Sequence, residues 1–181
     1  MITPQGNHQR FSVMLPVLAA VLFCAAEQPT VKVAPMDSVG PRPMEQQTQS
    51  SLVRDYLQAW QSMGSAFGQN RADLLDGYFV GTAKDQLSKT IREQQALGIQ
   101  AAYRDLSHDL QVVFYSPEGL SVQLVDNVEF EMTVRDNEKT VGTKRIRTRY
   151  IAVLTPTESK WKIRVFQGGT ESSGEARSGT D

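Results

Sequence analysis

The stretch Tyr150-Ile-Ala-Val-Leu-Thr-Pro-Thr-Glu-Ser-Lys-Trp-Lys-Ile-Arg-Val-Phe166 decides the fold. Tyr150, Ala152 and Leu154 stand at every second residue, and so do Trp161, Ile163 and Val165. A two-residue period on both sides of the polar run Thr155–Lys160 predicts a β-hairpin with one apolar face. Upstream, Val122, Leu124, Val128, Phe130, Met132 and Val134 keep the same period. Asp136-Asn-Glu-Lys139 is a turn candidate that leads into Ile146, Thr148 and Tyr150. Pairing across that turn sets Phe130 near Ile146 and Val128 near Thr148. Pairing across Thr155–Lys160 sets Leu154 near Trp161 and Ala152 near Ile163. Phe130, Ile146, Tyr150, Leu154, Trp161, Ile163 and Val165 then share one face. The prediction is four strands over about 107–167, forming a curved antiparallel sheet.

The half before the strands is helical. Leu52, Tyr56, Trp60, Met63 and Phe67 recur at helical spacing and read as one core-facing stripe. Arg71 to Phe79 reads as a second short helix, broken at Gly81. Thr82, with Asp85 three residues on, reads as the cap of a third, which carries Leu87, Ile91 and Leu97 and stops at Gly98. Helices first and an antiparallel sheet after them make an α+β domain.

The ends differ in composition. Phe11 to Ala26 is nearly all apolar, follows Arg10, and is shorter than the roughly 20 residues of a membrane span. It reads as a secretory signal cleaved after Ala26. Lipidation at Cys24 and retention as an uncleaved anchor are the alternatives, and Phe23 departs from the small residue that a lipidation box places before its Cys. Residues 27–47 carry Pro29, Pro35, Pro41 and Pro43 among Gln and Thr and read as a flexible linker. Residues 168–181 read as a disordered polar tail, which leaves 48–167 as the folded domain. A net charge of −1 gives no electrostatic footprint for nucleic acid. One Cys and two His exclude a disulfide within the chain and a Cys- or His-rich metal site, so neither metal nor cofactor is expected.

The layout resembles the nuclear-transport-factor-2-like (SnoaL-like) superfamily, a cone of helices on a curved sheet. The residues that carry the resemblance are Leu74-Leu-Asp-Gly-Tyr-Phe-Val-Gly81, Gly98 and the hairpin ending in Trp161-Lys-Ile163. It is similar in layout to membrane-tethered accessory domains: the C-terminal domains of division proteins, Mce-associated proteins, and inner-membrane components of type IV secretion systems. Such relatives act by binding partners, and with the leader and the linker this resemblance implies an exported, noncatalytic protein-interaction module in an envelope assembly, in the periplasm or tethered to a membrane and facing outside the cytoplasm. Its partner would be an envelope protein or a second copy bound through the sheet face. The superfamily also contains isomerases and cyclases, which implies an alternative: a small-ligand carrier or isomerase-like enzyme working inside the cone.

Two groups of residues discriminate between these readings. Tyr103, His108 and Asp126, with Asp105 and Asp109 nearby, are the candidate pocket, since a His beside carboxylates can move a proton if all converge. Against this, Arg104 to Asp109 also reads as a solvated entry to the first strand, and Asp126, inward by parity, as a bulge or a position at the cone mouth. Arg149, Ile151, Val153, Lys162, Arg164 and Phe166 are the candidate interface, a mixed apolar and basic outer face. Glu131 opposite Arg145 and Glu129 opposite Arg147 are expected as cross-strand ion pairs.

Overall fold

The computed structural model describes residues 28–37, 39–137 and 139–169. The leader, with Cys24, and the tail from Thr170 lie outside the described residues. In chain order the elements are β1 (Thr30–Val33), α1 (Gln46–Gln69), a 3-10 turn (Ala72–Leu75), α2 (Gly81–Ala96), β2 (Ile99–Tyr115), β3 (Val122–Asp136), β4 (Lys139–Pro156) and β5 (Trp161–Gly168). Among the described residues no helix is long and apolar enough to cross a membrane.

The sheet has five strands in sequence order, antiparallel except that β1 runs parallel to β2. Residues 28–45 are therefore not a plain tether. Thr30–Val33 adds an edge strand, Ala34 N–H donates to the Leu110 carbonyl, and Met36 and Met44 sink into the core. The alternation of β1 is too short to stand out between prolines, so the sequence signal for it was weak.

Helix α1 forms because its apolar stripe can bury on the sheet. Leu52, Tyr56, Trp60, Met63 and Phe67 are all buried. The helix ends at Asn70, which takes the left-handed conformation (φ 53°) and returns its N–H toward the Phe67 carbonyl. Gly81 opens α2 at φ 54° and Gly98 follows it at φ 71°, two positions where a side chain would be strained. Thr82 does not cap α2. Its hydroxyl donates to the Arg164 carbonyl and ties the helix start to β5.

The β3–β4 register is as the alternation predicts, with Phe130 opposite Ile146 and Val128 opposite Thr148. The β4–β5 register is not. A bulge between Val153 and Leu154 sets Leu154 opposite Ile163 and Ala152 opposite Phe166. One extra residue flips everything beyond it. Phe166 consequently points into the core and Val165 points out, opposite Val153. Strand β2 also begins earlier than expected, at Ile99, so Arg104 to Asp109 lie within a strand rather than at its entry.

Asp55 joins α1 to β5. It is buried, and its carboxylate accepts the Trp161 N–H at 2.8 Å and the Arg54 Nε–H at 3.0 Å. Asp55→Ala strands a buried N–H, and the expected loss is about 1–3 kcal/mol. Urea unfolding checks it, with an Arg54→Ala control that removes only the exposed partner and costs less than about 1 kcal/mol.

Candidate functional site

The interior of the cone is centred on Trp60. Its ring lies 5.2 Å from His108, 5.9 Å from Phe130, 5.2 Å from Tyr150 and 5.6 Å from Phe166, mostly edge-on. Tyr150 and Phe166 stack at 4.5 Å. These rings fill the space between α1 and the sheet.

Behind them sits a polar network. Alternation with Leu124 and Val128 turns Asp126 inward, where it is 0% exposed. An isolated carboxylate there would be prohibitively costly, so every partner must come from neighbouring elements. Tyr56 of α1 donates its hydroxyl to Oδ2 at 3.0 Å. His108 of β2 places Nδ1 2.7 Å from the same oxygen. The Asp109 backbone N–H reaches Oδ1 at 3.3 Å. On the far side of the imidazole, Nε2 lies 3.9 Å from the Asp105 carboxylate, an ion-pair distance rather than a hydrogen bond.

Burial pushes the His108 imidazole down, but the carboxylates of Asp105 and Asp126 outweigh it and hold its pKa at about 9. The imidazole is therefore protonated at neutral pH, and both ring nitrogens carry hydrogen. Tyr56 is pushed well up, first by burial and then by the Asp126 charge, so its phenol stays a donor. His108 and Asp126 form a buried ion pair with a phenol attached.

The structure thus brings His108 and Asp126 together and leaves Tyr103 apart. Tyr103 packs its ring 5.4 Å from Phe67 and 5.5 Å from Phe130, and burial raises its hydroxyl to about 12. It lines a cleft of about 350 Å³ with Trp60, Gly64 and Asp105. It also lines a groove of about 480 Å³ at the cone mouth, with Phe130, Met132, Ile146 and Tyr150. Neither His108 nor Asp126 lines either space. Asp109 is exposed and contributes only its backbone. Tyr56 was hidden in the helical stripe, and a Tyr where Phe would pack equally well was its one sequence signal. Among the described residues no group of three or more acidic, His or Cys side chains is placed to hold a metal ion.

The candidate interface residues separate too. Arg149, Ile151 and Val153 share the outer face of β4. Lys162 donates Nζ to the Asp76 carbonyl at 2.9 Å, and Arg164 sits at the bulge. Phe166 belongs to the core, as the bulge requires. Of the ion pairs, Arg147 meets Glu129 at 3.0 Å, as expected, but Arg145 also turns to Glu129. Glu131 pairs with Arg104 of β2 instead, at 3.3 Å.

No protein-family model matches the sequence, and no curated protein matches it. Solved structures do match. The chain is similar to the intermembrane-space region of the chloroplast protein ARC6, at 20% identity over 71% of this chain and 98% of that one, with a TM-score of 0.56. The fold is the nuclear-transport-factor-2-like cone. Looser likenesses include a provisionally described scytalone dehydratase from Novosphingobium aromaticivorans (12% identity, 69% and 89% covered, TM-score 0.49). A provisionally described dehydratase of the NTF2-like family from Streptomyces avermitilis is similar at 11% identity, with 66% and 96% covered and a TM-score of 0.44. Identities this low speak to the cone and not to its chemistry.

The cone network makes stability pH-dependent. The folded pKa of His108 lies above its unfolded value near 6.5, so the folded state holds the extra proton between them. Its contribution is full below pH about 6.5 and is lost as pH rises through about 9, on the order of 3 kcal/mol in all. Thermal unfolding from pH 6 to 10 checks it: the native protein loses stability over that window, and His108→Gln flattens this part of the profile. Asp126→Ala leaves a buried imidazolium without its nearest counter-charge, and the expected loss is about 3–5 kcal/mol.

Proposed function

We propose that this chain is an exported, noncatalytic interaction module of the nuclear-transport-factor-2-like fold, working in an envelope assembly. The supporting observation is the outer face of its sheet. Val125, Ile151, Val153 and Val165 cross β3, β4 and β5 as one aliphatic patch. Val125 is buried yet lies outside the core cluster, and the other three are half-buried. Gln111, Gln123, Gln167 and the cation Arg149 rim the patch. An apolar centre with a polar rim has the anatomy of a protein contact. The partner is a second copy joined sheet to sheet, or an envelope protein with a matching apolar centre. The leader supplies the route out of the cytoplasm. The likeness to a domain from an intermembrane space is consistent with that setting.

The interior favours the same reading. A catalytic dyad must reach its substrate, and His108 and Asp126 are 1% and 0% exposed behind Trp60. Their arrangement suits a fixed internal ion pair that orients α1 on the sheet.

Val153→Glu places a charge at the centre of the patch without touching the core. Sedimentation of the full chain is expected to show self-association that V153E weakens at least about tenfold, with an unchanged melting temperature. Self-association that V153E leaves intact would overturn the sheet-face contact. A monomeric native chain would assign the patch to a different protein.

A further inference from the structure

The last two strands of the sheet differ greatly in length. Strand β5 stops at Gly168, opposite Tyr150, while β4 continues to Lys139. The last bond between them runs from Gly169 N–H to the Arg149 carbonyl at 2.6 Å. Antiparallel alternation then fixes the rest. If Arg149 points its backbone toward the β5 side, Arg147 and Arg145 do so as well, and beyond Gly169 no described strand meets them. Val80 and Tyr78 cover the outer edge of β5 at Ile163, so among the described residues the unpaired edge of this side belongs to β4.

Both faces flanking that edge are chemically marked. On the concave side lies the 480 Å³ groove, with Tyr103, Met132 and Ile146 in its wall and Lys144 at its rim. On the convex side Arg145, Arg147 and Arg149 stand at every second residue. Glu129 pairs with both Arg145 and Arg147, Glu131 lies near Arg145 as well, and Arg149 has no carboxylate partner among the described residues.

We propose that the β4 edge around Arg145 and Arg147 is a docking strand for an extended partner peptide that alternates apolar and acidic side chains. Strand addition supplies backbone bonds to Arg145 and Arg147. The two-residue period sends the apolar side chains into the groove and the carboxylates to the arginine row. A second copy of β4 fits poorly, because its own arginines would face these. The chain's own tail has Glu171 and Glu175 at the parity of the arginine row, but at the parity of the groove it has only Thr170, Ser172 and Gly174, so it lacks the apolar half of the match. This edge meets the aliphatic outer patch only at Arg149, so Arg147 tests the edge alone and Val153 tests the patch alone.

The probe is a fluorescent seven-residue peptide alternating glutamate and valine, titrated into the full chain and followed by anisotropy. Saturable binding is expected, together with slower amide exchange at Arg145 and Arg147. Arg147→Pro removes an N–H that β3 does not use, and it is expected to weaken binding at least about tenfold. Arg149→Glu, a surface change that leaves the edge backbone intact, is expected to do the same by charge. V153E is expected to leave binding unchanged. Absence of binding, equal binding of a lysine–valine peptide, or binding retained in both R147P and R149E overturns the proposal. Binding that emerges only after removal of residues 170–181 assigns the edge to the tail and overturns it too.

Discussion

The carboxylate of Asp126 is the constraint on which the rest of the structure depends. It sits on a central strand, faces the core, and carries a charge that the apolar interior cannot tolerate alone. Three separate pieces of chain answer it: the Tyr56 hydroxyl from α1, the His108 imidazole from β2, and the Asp109 N–H beside it. Each must arrive in one register for the charge to be matched. A one-residue slip of β2 would aim His108 at solvent and leave Asp126 without its counter-charge. Hydrophobic burial makes the helix and sheet associate, but it is forgiving of small shifts. The ion pair is not, so it selects one placement among the greasy alternatives.

Trp60 makes that network inaccessible. Its ring lies against His108 on one side and against Phe130, Tyr150 and Phe166 on others. The same arrangement shields the ion pair from water, and so strengthens it. Asp105 reaches a cleft beside Trp60, and it approaches the imidazole only at 3.9 Å. The interior is thereby committed to holding the fold together.

What was legible in the sequence followed from unbroken periodicity. The β3–β4 register could be read because an Asp-Asn turn joins two long alternating runs, and the inward aim of Asp126 followed from parity with Leu124 and Val128. Its partner could not be read. Placing His108 opposite Val128 needs the β2–β3 register, which is interrupted between Asp105 and Ser107. Leu106 is the extra residue there, and it makes the polar start of β2 look like a loop. Phe166 failed for the same reason on the other side of the sheet, where the bulge at Val153–Leu154 exchanged it with Val165. Bulges are local backbone choices with little side-chain signature, whereas their effect on every later residue is total. The strand β1 was lost to its length of four residues between prolines.

Length mismatch within the sheet then determines where the surfaces lie. Strand β4 has 18 residues and β5 has 8, a difference of roughly 34 Å at the usual rise per residue. The helices lie over the part of the sheet that β5 completes, where Phe79, Trp161, Ile163 and Phe166 close the core. Past Tyr150 the β3–β4 hairpin runs on without β5 beside it. Its concave side becomes the groove with Met132 and Ile146, and among the described residues no strand neighbours its edge. Sheets usually blunt such an edge with charge, and the arginine row does so against another basic strand. The same row attracts an acidic one. A device that prevents indiscriminate pairing therefore also sets the chemistry of the partner that can pair, since the cost of approach changes sign with the charge of the incoming strand.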